Sequence, residues 1–314
     1  MPERASLTVS DGVRLRVETS GPSDAPITVV LLHGWCLDRH IWRHQIAALR
    51  DSGTVRIVAY DARGHGGSGA TRLSAATLSR LGEDLAAVLR RHAPRGPVVL
   101  VGHSMGGMTI MEYAAAHPDE FADRVRGLLF VSTTAEGVTH TRYGLPDPLA
   151  MLMRIGETVG AGVLARCGAW RPHRAALPVL RPAVRWLLFG DDCDGPSLDA
   201  TMRAVGRATL RSIGGFRPSI GAQHRLATLT SLPPVPAAAL VGDRDRLTPP
   251  PCAESIAEAL AGAELTVCPG AGHMLMLERG DEVTATLSAI VARAAAAHRR
   301  DRRTPPPTGL ERAA

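Results

Sequence analysis

Gly102-His103-Ser104-Met105-Gly106-Gly107 follows the apolar run Pro97-Val98-Val99-Leu100-Val101 and precedes Thr109-Ile110-Met111-Glu112-Tyr113, which sets one serine on a strand-to-helix turn. Glycine at both second neighbours of Ser104 permits a strained backbone that a Cβ would obstruct, so the hydroxyl stands exposed at the head of the next helix. The free N–H groups of that terminus favour negative charge developing nearby. A hydroxyl is a weak nucleophile at neutral pH and needs a base within hydrogen-bond reach, itself held by a third group.

The flanking sequence alternates strand and helix patterns. Leu7-Thr8-Val9 and Val13 to Val17 flank Ser10-Asp11-Gly12, which reads as a β-hairpin. Ile27 to Leu32 is a continuous apolar run, as expected of a strand buried on both faces, and Val55 to Tyr60 follows a helical stretch from Ile41 to Leu49. The alternation continues with a helix from Ala75 to Arg91, strands at Pro97 to Val101 and Val125 to Val131, and a helix from Met105 to Ala116. It resumes with a strand at Ala237 to Val241, a helix from Cys252 to Ala261, a short strand at Glu264 to Val267 and a helix from Asp281 to Ala297. Such alternation predicts an α/β fold with a mostly parallel sheet, an antiparallel N-terminal hairpin and helices on both faces.

Residues 134–232 interrupt the pattern. Apolar residues there recur at helical spacing (Leu149, Leu152, Met153, Val159, then Val184, Leu187, Leu188, then Met202, Val205), and prolines punctuate the stretch. The organisation expected is a core of residues 1–133 and 233–298, a helical lid insertion over 134–232 built of several short helices, and a disordered tail over 299–314, where Pro305-Pro306-Pro307 lies.

Composition narrows the partners. The 314 residues carry a net charge of +6, and all 36 cations are arginine. Half of the excess lies in the tail, and the remaining arginines are interspersed with acids without a basic stripe or interleaved aromatics, so no nucleic-acid partner is expected. No window approaches a membrane-spanning helix, and no stable membrane association is expected. Cys36, Cys167, Cys193, Cys252 and Cys268 are odd in number and widely spaced, without metal-site spacing, and read as free thiols with no metal or other cofactor. The N-terminus lacks the layout of a signal peptide, and a cytoplasmic location is expected.

Partners for Ser104 lie downstream. Gly242-Asp243-Arg244-Asp245 follows one predicted strand and Gly270-Ala271-Gly272-His273 the next, at the carboxyl ends where open α/β sheets place ligands. Asp243 and Asp245 are rival acids, with Glu136 a third. His103 and His33 abut the serine turn and the loop after the Ile27 to Leu32 strand without an acid to orient them, and His65 sits in the glycine-rich stretch from Asp61 to Ser68, so all three read as loop-ordering.

Taken together, these motifs resemble the α/β-hydrolase family over nearly the whole chain. The family's nucleophile elbow matches Gly102-His103-Ser104-Met105-Gly106, its Gly-x-x-Asp matches Gly242 to Asp245, its Gly-His matches Gly272-His273, and the chain order is the same. The resemblance implies a catalytic triad of Ser104, His273 and Asp245, with an oxyanion hole of the Met105 and Trp35 backbone N–H groups, the latter in His33-Gly34-Trp35-Cys36. Gly102, Gly106, Gly34, His33 and His103 would support it.

Serine at the elbow argues against the family's dehalogenases and epoxide hydrolases, whose elbow carries Asp. The expectation is hydrolysis of a carboxylic ester of an apolar small-molecule acyl substrate, with the insertion's leucines and methionines, Trp170, Trp186 and Phe189 closing an apolar pocket. A perhydrolase or cofactor-free haloperoxidase-like enzyme, a C–C bond hydrolase and a non-catalytic ligand receptor are the alternatives.

Overall fold

The computed structural model describes residues 2–173 and 176–303. The chain opens with strands β1 (Glu3–Thr8) and β2 (Arg14–Ser20), paired antiparallel across the Asp11-Gly12 turn with Leu7 opposite Leu15. Next come β3 (Thr28–Leu32), helix α1 (Arg43–Ser52), β4 (Arg56–Tyr60), α2 (Leu78–His92), β5 (Val98–His103), α3 (Met105–Ala116), α4 (Pro118–Arg124) and β6 (Val125–Val131). Six helices follow: α5 (Asp147–Arg166), α6 (Leu177–Leu188), α7 (Gly195–Val205), α8 (Leu210–Gly215), α9 (Arg217–Gly221) and α10 (Leu226–Thr230). The chain then returns through β7 (Ala237–Gly242), α11 (Pro250–Ala259), β8 (Glu264–Cys268), α12 (Leu275–Glu278) and α13 (Gly280–Arg303).

The sheet has eight strands in the order β1-β2-β4-β3-β5-β6-β7-β8, antiparallel at β1–β2 and β2–β4 and parallel elsewhere. Side chains alternate across it. Val98 and Leu100 of β5 join Leu85, Ile110 and Tyr113 on one face, whereas Val99 and Val101 join Trp42, Leu287 and Ile290 on the other. Burial on both faces explains why these strands read as unbroken apolar runs. Parallel register carries each strand's carboxyl end to one edge: Leu32 pairs with Gly102, His103 with Val131 and Gly242 with Cys268.

Three expectations need correction. The helix α13 continues through Arg303, past the 298 boundary, because its Ala- and Arg-rich run meets no helix breaker before Pro305; residues 304–314 of the expected tail lie outside the described residues. The helices after β6 are not all short, since α5 runs 20 residues. By length and composition α5 also qualifies as a candidate membrane span, as only Arg154 and Glu157 interrupt an otherwise apolar stretch, and most of it faces outward. Leu152 is 66% exposed and Val159 64%.

The inner side of α5 packs on α8 at backbone distance. A Cβ on Gly214 would come within 2.1 Å of the Ala161 carbonyl oxygen, so only glycine fits there.

Candidate active site

Ser104 is the residue between β5 and α3, with φ 51° and ψ −119°. A positive φ at a non-glycine residue costs about 1–3 kcal/mol and persists only when neighbours enforce it. Here the Ser104 N–H donates to the Val131 carbonyl at 3.0 Å, and its own carbonyl accepts the Gly107 N–H at 2.9 Å and the Thr133 hydroxyl at 2.7 Å. The glycines are required by contact. A Cβ on Gly102 would lie 2.5 Å from the Gly107 nitrogen, and one on Gly106 would lie 2.4 Å from the Leu32 carbonyl oxygen.

The loop after β3 packs directly on this elbow. A Cβ on Gly34 would meet His103 Nδ1 at 2.5 Å and Ser104 Cβ at 3.2 Å. His33 fixes the loop from below, its Nε2 accepting the Ala62 N–H at 2.9 Å and its Nδ1 donating to the Gly34 carbonyl at 2.8 Å. The Arg39 guanidinium reaches Asp61 at 2.6 Å, and Arg63, wholly buried, pairs with Asp84 and Asp11, so the loop after β4 is anchored too. Trp35 donates its ring N–H to the Ser212 carbonyl at 3.3 Å and packs with Met105, Met108 and Phe216. Trp35, Ser104 and Met105 thereby line one cavity.

The buried pair Asp245–His273 approaches the elbow from β7 and β8. Asp245 Oδ2 accepts from His273 Nδ1 at 2.8 Å, and its Oδ1 accepts the backbone N–H groups of Leu247 and Thr248, each at 2.9 Å. The imidazole of His103 lies against that of His273 at 4.8 Å between centroids, and its Nε2 donates to the His273 carbonyl at 3.0 Å. Burial pushes the His103 imidazole far below the ordinary histidine range. The rival acids are occupied elsewhere: Asp243 is exposed and accepts the Gly270 N–H at 2.7 Å, and Glu136 pairs with His140 at 3.1 Å.

Two supporting residues escape sequence reasoning. Thr248 donates its hydroxyl to Asp245 Oδ2 at 2.9 Å and lies 3.3 Å from His273 Nδ1. Its place three residues after the acid is the one clue the chain offers. Glu278, in α12, accepts backbone N–H groups from Gly190, Gly272 and Met274, and so clasps the His273 loop; no pattern in the sequence singles it out.

Ser104 and His273 open into a chamber of about 540 Å³ walled by Leu164, Leu180, Val184, Leu187 and Ile213 from the helices between β6 and β7. The aromatics expected there are elsewhere: Trp170 is 79% exposed, Trp186 faces outward beneath the Arg246 guanidinium, and Phe189 is buried in the core. Of the three only Trp186 lies within a helix, where periodicity places a residue on a face but does not say which face looks inward; Trp170 precedes α6 and Phe189 follows it. A second arm of about 60 Å³ leaves Ser104 on the side of Tyr143, Glu157 and Arg217.

This fold and this serine–histidine–aspartate arrangement define a class of α/β enzymes, and comparison with known proteins agrees. The family model described as the alpha/beta hydrolase family matches residues 29–286, and the chain belongs to that family. It is 36% identical to epoxide hydrolase A of Mycobacterium tuberculosis over 152 residues, 48% of this chain and 44% of that relative's length. Identity to the pimeloyl-[acyl-carrier protein] methyl ester esterase of Chromobacterium violaceum is 28% over 282 residues, 88% of this chain and 97% of the relative. Among solved structures, a thermophilic esterase from Thermogutta terrifontis superposes with a TM-score of 0.73 at 23% identity, covering 93% of this chain and 99% of that one.

Proposed function

We propose that the protein is a serine hydrolase that cleaves a carboxylic ester of an apolar small molecule through an acyl-enzyme on Ser104. The observation that carries this reading is that His273, held by Asp245 at 2.8 Å, and the strained Ser104 line one apolar chamber. His273 Nε2 takes the hydroxyl proton as Ser104 Oγ bonds to the carbonyl carbon, and the carbonyl electron pair moves to oxygen. The N–H groups of Trp35 and Met105 hold that oxyanion. Collapse breaks the carbon–oxygen bond of the ester, and His273 returns its proton to the departing alcohol. Water, deprotonated by His273, then releases the acid and restores Ser104. Asp245 keeps the imidazole in the useful tautomer and stabilises its cation. Helices α5 to α10 act as the lid over residues 134–232, and His33, Gly34, Gly102, His103 and Gly106 hold the parts in place.

The likeness to an epoxide hydrolase does not extend to the nucleophile's chemistry. Opening an epoxide by a carboxylate leaves an ester that water can cleave, whereas Ser104 would leave an ether that the site has no means to hydrolyse. The pimeloyl methyl ester esterase is an ester-cleaving relative and supports acyl chemistry.

A second reading, in which the insertion engages a partner rather than covering a catalytic site, takes its support from the outward apolar residues of α5 and from Trp170. One experiment separates the two. Hydrolysis of p-nitrophenyl propionate should fall at least 1,000-fold in Ser104→Ala, on the order of losing a triad member, and a fluorophosphonate should label Ser104 in folded protein. A folded wild type that neither turns over esters nor is labelled would sink the hydrolase reading.

A further inference from the structure

The small arm beside Ser104 contains a charged group that the proposed chemistry does not use. Glu157, on α5, faces Arg217, on α9, with Arg217 Nε 2.7 Å from Oε1 and Nη2 3.1 Å from Oε2. The Tyr143 hydroxyl donates to the same Oε2, and Tyr143 holds a positive φ of 56° to reach it. Arg217 and Tyr143 are buried, while 27% of the Glu157 side chain is exposed, and Glu157 lines both the small arm and the large chamber. An ionised carboxylate offers about four acceptor positions. The two hydrogen bonds, from Arg217 Nη2 and the Tyr143 hydroxyl, both fall on Oε2, which leaves Oε1, ion-paired with Arg217 Nε, able to accept from a donor arriving through the cavity.

Reaction geometry tells the arms apart. A departing alcohol must lie within reach of the histidine that protonates it, and His273 lines the large chamber but not the small arm. Met105, whose N–H would help hold the carbonyl oxygen, lines the small arm and not the chamber, while Trp35 lines both. Resting on the serine-hydrolase reading, we infer that the small arm is an acyl subsite for a short acyl group bearing a hydroxyl, with Glu157 as its acceptor, and that the chamber takes an apolar alcohol. The cavity volume of about 60 Å³ suits two or three carbons with a hydroxyl, and the chamber of about 540 Å³ suits a bicyclic or long-chain alcohol. The Glu157–Arg217 pair is neutral overall, and the carboxylate would repel an acyl group carrying a second anion.

The test compares four esters: 1-naphthyl lactate, 1-naphthyl propionate, the 1-naphthyl monoester of succinate, and 2-hydroxyethyl 1-naphthoate, each rate normalised to the ester's own hydroxide hydrolysis. A hydrogen bond to a charged acceptor predicts that kcat/KM for the lactate exceeds that for the propionate by about tenfold or more. Glu157→Gln and Tyr143→Phe should each bring that ratio towards one. Thermal melts identify a variant that fails to fold, in which case the other variant and the wild-type ratio carry the test. Equal rates on lactate and propionate, or a ratio untouched in folded variants, overturn the subsite. Preference for the succinate monoester shows Arg217 receiving an anion and overturns it as well, and preference for the hydroxyethyl naphthoate reverses the arms. Failure to cleave any of the four by protein that a fluorophosphonate still labels at Ser104 overturns the subsite alone; failure of labelling as well overturns the hydrolase reading, and the subsite with it.

Discussion

The carboxylate of Glu278 accepts the backbone N–H of Gly272, one residue before His273, with its two oxygens at 3.0 and 3.1 Å. Two further N–H groups, of Gly190 and Met274, converge on the same carboxylate, so one side chain ties the end of α6 to the histidine loop. Glu278→Ala would strand these donors in a partly buried site. A loss of about 2–4 kcal/mol in unfolding free energy is expected, together with a drop in kcat larger than the change in KM. Urea denaturation and steady-state kinetics would expose a neutral outcome, which would mean that the loop holds its own shape.

Thr248→Val removes the hydroxyl that shares Asp245 Oδ2 with His273 while keeping the volume of the side chain. The imidazole loses a restraint on its orientation, not its acid partner. A fall in kcat of about three- to tenfold is expected, well short of the loss from removing a triad member. An unchanged kcat on p-nitrophenyl propionate would show the hydroxyl to be incidental.

Gly34→Ala tests the oxyanion loop, because a Cβ there would press on His103 and Ser104. The loop must retreat and carry the Trp35 N–H with it. Losing one oxyanion donor costs about 100- to 1,000-fold in rate, and a folded variant of near-normal rate would exclude Trp35 from that role.

Acid should unfold the protein through its buried histidines. Burial holds His33, His65 and His103 below the ordinary histidine range, His65 at about 3. The unfolded chain binds protons at these sites near pH 6.5, and the folded chain does not. Their contribution to stability is therefore complete above about pH 6.5 and declines as the pH falls towards the folded values. Three such groups give a slope of up to ~4 kcal/mol per pH unit. Denaturation midpoints at pH 7.5, 6 and 5 measure it, and a flat profile would contradict the assignment of neutral rings.

Much of this arrangement could be read before any coordinates. Residues 27–32 and 97–101 announce buried strands because both faces of the sheet are covered, and the glycines around Ser104 announce a turn because nothing larger fits against Leu32 and Gly107. What stayed hidden is of two kinds. The helix α4 has seven residues, too few for a period to show. The Glu157–Arg217 pair and the reach of Glu278 to Gly190 join residues 60 and 88 positions apart, and no local pattern encodes such meetings. Trp186 shows the complementary failure, since an apolar side chain in a helix declares its chemistry but not its direction, and Trp170 lies between α5 and α6, where no helical period operates.

The contact at Gly214 gives α5 a further meaning. Glu157 and Leu164 on that helix both wall the large chamber, Glu157 lines the small arm as well, and α5 rests on α8 where a single hydrogen atom stands in place of a side chain. A methyl group at position 214 would lever α5 outward and alter both arms at once, though it would touch no substrate. The breadth of what the enzyme accepts is then adjustable from behind the wall, by a residue that no survey of the cavity lining would bring to notice.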